Sequence, residues 1–159
     1  MNYISTEDSL ISEFYNASSL TRSERRGLIL HLLYTLEMQE YELSVRELIF
    51  YYNVDYGILI DSNDAIVEIV EEITTEREAL DRELLPYFKN WHFNRLSTLT
   101  KLILRYAVWE LKKKKNDSTL VINEAVELAK GYAEKDSFRF INAVLDAWSK
   151  NFFLNKSQE

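Results

Sequence analysis

Apolar residues recur along this chain at helical spacing. Ile29, Leu32, Leu33 and Leu36 follow an i, i+3, i+4, i+7 pattern, which predicts a helix over residues 21–41 with one stripe turned to a core. Thr21 with Glu24 three residues on is a capping box that marks its start. Ser44 and Glu47 repeat that signal ahead of Leu48, Ile49 and Tyr52, predicting a short second helix. Asp61 and Ser62 precede a long helix carrying Ile66, Ile69, Val70, Ile73, Leu80 and Leu84, which Pro86 ends. Ser97 opens another, with Leu99, Leu102, Ile103 and Tyr106 inward, running to the lysines at 112–115. A helix near 119–130 turns Val121, Ala125 and Leu128 inward and stops at Gly131. Asp136 caps the last, with Ile141, Val144, Leu145 and Trp148 at helical spacing, and the tail from Ser149 is ambiguous. The pattern predicts an all-α chain of six or seven helices. It has an acidic extension at 1–20, one domain over 21–150 and a tail at 151–159.

Composition supports that class. At 159 residues, with 47% hydrophobic and 13% aromatic side chains, the chain can bury one sizeable core. Three glycines and one proline are too few for the tight turns of a β-rich fold. The absence of cysteine rules out disulfides and thiolate metal sites and agrees with a cytoplasmic location. No apolar run reaches the roughly 18–20 residues that a membrane span needs, so no membrane role is expected. The net charge of −7 conceals a segregation. Residues 61–83 carry nine acids and two bases, whereas residues 86–115 carry eight bases and one acid. A polyanion would meet the second field and avoid the first.

Catalytic signals are missing. His31 and His92 are the only histidines, and neither has a partner at metal-ligand spacing. No glycine-rich phosphate loop is present, and no cofactor is expected. The arginines are more informative. Arg22, Arg25 and Arg26 stand at the head of the first helix, within about 50° of its apolar stripe. Cations are mildly unfavourable at that end, so they call for an outside anion or an internal acid. Guanidinium forks beside exposed helix amides suit a phosphate. The alternative is pairing with the acidic segment 61–83. Tyr34 lies about 150° from the stripe, and Leu30, Met38 and Tyr41 join it on that side. The first helix is therefore either central in the bundle or apolar toward a partner.

Segment order carries a further signal: LLYTLE after the arginines, then EREALDRELLPYFKNW, then RLSTLTKLILRYAVWEL, then VINEAVELAKGYAEKDSFRFINAVLD. The ILRxAxxEL pattern of Ile103–Leu111 and the FINxVLD pattern of Phe140–Asp146 are the most specific parts. From about Thr21 to Trp148 the chain closely resembles the bacterial transcription antitermination factor NusB family. The resemblance implies an all-helical fold of two small packed bundles. It also implies binding to boxA-type leader RNA together with the small-subunit ribosomal protein NusE, in a complex that helps RNA polymerase read through terminators, notably on ribosomal RNA operons. By the same resemblance, Arg22 and Arg26, with Arg25 between them, touch RNA, and Tyr87 and Phe140 flank bases. Tyr34, with Met38 beside it, belongs to the ribosomal-protein face, and Asp136 to the antitermination assembly. Arg105 matches the arginine of the ILR pattern, where RNA contact and a structural hydrogen-bonding role both fit. Thr100 stands where relatives commonly carry an acid, Ala143 replaces a glycine, and the proline common before the NEA helix is missing. A homodimer also fits the family. The rival expectation is a diverged protein-interaction module that has lost RNA.

Overall fold

The computed structural model describes residues 15–88, 95–113 and 116–158. Six α-helices lie within them: α1 (Arg22–Met38), α2 (Val45–Tyr56), α3 (Ala65–Leu84), α4 (Thr98–Lys113), α5 (Ser118–Tyr132) and α6 (Ser137–Lys156). The expected all-α bundle is borne out. None of the described helices is long and apolar enough to cross a membrane. The chain divides into two compact units, the boundary falling between Glu71 and Glu72 within α3.

In the first unit, both predicted capping boxes form. Thr21 Oγ1 accepts from Glu24 N at 3.2 Å and Glu24 Oε2 accepts from Thr21 N at 2.7 Å. Ser44 and Glu47 repeat the arrangement at 3.2 and 2.8 Å, fixing the start of α2. These reciprocal bonds satisfy amides that no helical carbonyl reaches. The carboxyl of Glu47 is held below its ordinary value, first by the Ser44 backbone N–H and then by the Ser44 side chain. Leu28, Ile29, Leu32, Leu33 and Leu36 of α1, with Val45, Leu48, Ile49 and Tyr52 of α2, are buried as their spacing requires. α1 ends earlier than predicted, at Met38. Glu40 and Tyr41 adopt left-handed backbone (φ 53° and 61°), and Tyr41 N donates back to Leu36 O at 2.9 Å. Gly57 closes α2 in the same left-handed region (φ 64°), where the lack of a Cβ removes the penalty. The residue that starts α3 is Asp64 rather than Asp61 or Ser62: its carboxylate accepts from Ile66 N at 2.9 Å. A feature with no periodic signal also appears. β1 (Tyr15–Asn16) pairs in parallel with β2 (Ile58–Leu59), placing Asn16 opposite Leu59.

In the second unit, α4, α5 and α6 pack against one another, and a 3₁₀ turn at Leu85–Tyr87 around Pro86 contacts α6. Residues Leu102 to Leu111 of α4 are all buried, which makes it the central helix. Ser97 Oγ accepts from Thr100 N at 3.2 Å, the predicted cap of α4. The expected stop at Gly131 does not occur, because α5 runs through it to Tyr132 and Ala133 caps its end. α6 likewise extends through the ambiguous tail to Lys156, with Trp148 and Phe152 stacked at 4.6 Å. Apart from its chain neighbours and the helix's own backbone, nothing lies within 4 Å of where a Cβ would stand on Gly131. Gly131→Ala should therefore stabilise the protein by about 0.5–1 kcal/mol through lost unfolded-chain freedom. A raised urea midpoint with unchanged slope would bear this out, and a lowered one would contradict it.

Candidate nucleic-acid and partner surfaces

The three arginines at the head of α1 have three different environments. Arg22 occupies the first helical position and is exposed. Arg25 is clamped: Nη2 donates to Asp64 Oδ1 at 2.6 Å, while Nη1 donates to Asp64 Oδ2 at 3.3 Å and to Ala17 O at 3.0 Å. Arg26 is buried, only 6% exposed. The expectation of three outward guanidiniums is corrected for Arg25 and Arg26. Arg25 sits where the first turn of α1 meets an acid from the segment 61–83, so the internal-pairing alternative describes it. Arg26 points with the core stripe, as its angular position beside Ile29 and Leu33 demands. Burial pushes the Asp64 carboxyl upward, but the Arg25 hydrogen bond, the Ile66 N–H and the Arg25 charge outweigh it and hold the group below its ordinary 3.8.

On the same helix, Tyr34 and Met38 are exposed and follow His31, also exposed, at helical spacing. Leu30 and Tyr41 do not share that face as expected. Leu30 is buried, and Tyr41 is half-buried with its hydroxyl on Glu37. Helix α1 is therefore mostly internal, with a narrow outward strip. His31 Nδ1 and Tyr52 Oη lie 2.9 Å apart, and the Tyr56 ring meets His31 edge-on at 6.0 Å. Burial, and then the neighbouring Tyr56, push the Tyr52 hydroxyl above its ordinary value. These rings fix one edge of the strip. His92, the other histidine, lies outside the described residues. Among the described residues no cluster of His, Asp and Glu has the makings of a metal site.

In the second unit, Arg105 is buried in α4 and grips Asp81 of α3 with both arms, Nε at 2.6 Å and Nη2 at 2.7 Å. Assignment of Arg105 to RNA is corrected here, because its fork is turned inward. Removing one partner of such a pair strands a buried charge and costs about 3–5 kcal/mol. Lys112 pairs with Glu83 at 2.6 Å, and Lys113 with Glu72 at 2.7 Å. Glu72 also accepts from Trp109 Nε1 at 2.9 Å. The basic field 86–115 is thus partly neutralised by the acidic helix, and Lys114 and Lys115 lie outside the described residues.

Phe140 and Asp136 line one open cleft of about 520 Å³ together with Leu96, Thr100, Glu134 and Arg139. Phe140 is half-buried, its ring 5.8 Å from that of Phe88. Asp136 does not cap α6 through its side chain. Its backbone is left-handed (φ 67°), whereas a capping carboxylate needs extended backbone to reach the first amides. Thr100 is buried and donates to Glu134 Oε1 at 3.1 Å, and Ser97 Oγ donates to Glu134 Oε2 at 2.6 Å. Burial pushes the Glu134 carboxyl upward, but those hydroxyls and a backbone bond outweigh it, leaving the group below its ordinary value. Tyr87 is half-buried and its hydroxyl accepts from Asn151 Nδ2 at 2.7 Å. The acids Asp64 and Asp81 that hold Arg25 and Arg105 went unnamed in the sequence reading. The only signal for them was the opposite charge of two segments.

The NusB family profile matches residues 23–150. The chain is 36% identical over 126 residues to the transcription antitermination protein NusB of Staphylococcus carnosus, covering 79% of this chain and 97% of that protein. It is 30% identical to the protein of that name from Helicobacter acinonychis, over 82% of this chain and 93% of the other. Against the one from Macrococcus caseolyticus it is 29% identical, over 83% and 98%.

The Asp64 geometry sets a pH dependence. A carboxyl whose folded value is lowered adds stability above its ordinary titration range and loses it as pH falls through the folded value. Asp64→Asn should therefore be less stable than wild type at neutral pH, with the gap closing below the ordinary 3.8. Urea midpoints at about pH 7 and about pH 2.5 measure this, and an unchanging gap would contradict it.

Proposed function

Because the chain belongs to the NusB family, we propose that it is a cytoplasmic transcription antitermination factor that binds boxA-type single-stranded RNA together with the ribosomal protein NusE. The match across residues 23–150 is the observation that carries this. The role is assembly, without catalysis and without a cofactor. The RNA–protein complex would join RNA polymerase and favour read-through, notably on ribosomal RNA operons.

The geometry supports a division of labour. Arg22, exposed at the N-terminal end of α1, supplies a cation beside helix amides, the pairing that phosphate oxygens favour. Arg25 and Arg26 hold that end in place. In the other unit, Phe140 and Tyr87 keep partly exposed rings that can flank unstacked bases. Asp136, exposed beside Phe140, offers a carboxylate to the antitermination assembly. Tyr34 and Met38 form the strip that would receive NusE.

The rival, an interaction module without RNA, draws its support from Arg25, whose guanidinium is already engaged by Asp64. One paired experiment separates the two. Filter binding of a boxA-like oligomer across a salt series should give a falling line. Arg22→Ala should weaken affinity and reduce the log–log slope by about 0.7, the value for one phosphate of a single strand. In the parallel capture assay, Tyr34→Asp should lose immobilised NusE while retaining RNA. A wild-type protein that captures NusE but shows no salt-dependent RNA binding would favour the rival.

A further inference from the structure

Helix α6 runs on past the family match. The profile ends at residue 150, whereas the helix continues without a break to Lys156. Ser149 is still buried and Trp148 stacks on Phe152 at 4.6 Å, so packing carries the last turns along with the rest. The first residue beyond the match is Asn151. It is exposed, and its Nδ2 donates to Tyr87 Oη at 2.7 Å across 64 residues of sequence.

Phe140 stands on the same helix, eleven residues earlier. At 100° per residue that spacing puts Phe140 and Asn151 within about 20° of each other around α6, and about 16 Å apart along it. The 3₁₀ turn Leu85–Tyr87, with Phe88 closing it, meets this face at two points. The Phe88 ring lies 5.8 Å from that of Phe140, and the Tyr87 hydroxyl lies on Asn151. Pro86 restricts the backbone ahead of Tyr87, and the tethered hydroxyl fixes the far end of the ring. A half-exposed phenol does not need a protein partner for stability, because water serves it nearly as well. What the bond supplies is a single orientation for a ring that otherwise turns about two side-chain torsions.

We propose that Asn151 is a positioning residue for RNA: it holds the Tyr87 ring ready to flank a base, on the helix face that carries Phe140. The inference rests on the reading of the protein as an RNA binder, and it adds to that reading a residue outside the family match. A ring ordered before RNA arrives removes an ordering cost from binding. Immobilising one such side chain is worth roughly two- to tenfold in affinity.

Asn151→Ala leaves the fold intact, since the site is exposed on a helix and alanine is the better helix former. This variant should bind a boxA-like RNA oligomer about two- to tenfold more weakly than the wild type. Tyr87→Phe keeps the ring, removes the acceptor and should weaken binding by a similar factor. The double variant should be no weaker than either single one, because both changes break the same contact. Oligomers with one base at a time replaced by a fluorescent purine analogue give a local reading. Asn151→Ala should relieve quenching at the same base as Tyr87→Leu and leave the other bases as in the wild type. Equal affinity of Asn151→Ala and wild type overturns the inference while leaving RNA binding standing. So do losses that multiply in the double variant, or a quenching change at any other base. A wild-type protein that does not bind the oligomer overturns RNA binding itself, and the inference with it.

Discussion

The bidentate pair between Arg25 and Asp64 organises the start of the first unit. A cation in the first turn of a helix opposes the partial positive charge there, so Arg25 needs an anion close by. Asp64 supplies it at 2.6 Å, and the same carboxylate accepts from Ile66 N at the start of α3. The guanidinium's other arm reaches Ala17 O. One ion pair thus ties α1, α3 and the turn after β1 together. With Arg25 turned to Asp64 and Arg26 buried, two of the three arginines at this helix end serve the fold itself.

The same logic governs the second unit. The acids of residues 72–83 and the bases of α4 looked like two opposed fields. In three dimensions they are partners: Asp81 with Arg105, Glu83 with Lys112, Glu72 with Lys113. Of these, the Arg105 pair is buried enough to fix the relative rotation of α3 and α4, because a charge stranded there has no water to turn to. The lysine pairs are half-exposed and contribute little more than local order. The basic segment is thus partly neutralised by the protein's own acids.

Local signals were legible where a short stretch decides the outcome. Both capping boxes, the Pro86 stop and the inward stripes follow from residues within one or two turns of each other. Gly131 and Asp136 misled for the opposite reason. Packing of α5 outweighs the weak preference of an exposed glycine for a helix end, and left-handed backbone at Asp136 denies its side chain the cap. The arginines were ambiguous because helical spacing places a side chain on a face without saying what lies opposite. Asp64 is 39 residues from Arg25 in sequence, and only the fold brings them together.

Read-through is the most direct measure of the central claim. A transcription extract depleted of its own NusB protein is programmed with a template carrying boxA ahead of a terminator. Adding this protein with NusE should raise the fraction of full-length transcript, and scrambling boxA should remove the gain. Termination that stays the same with and without the protein, at concentrations where it captures NusE, would contradict the account.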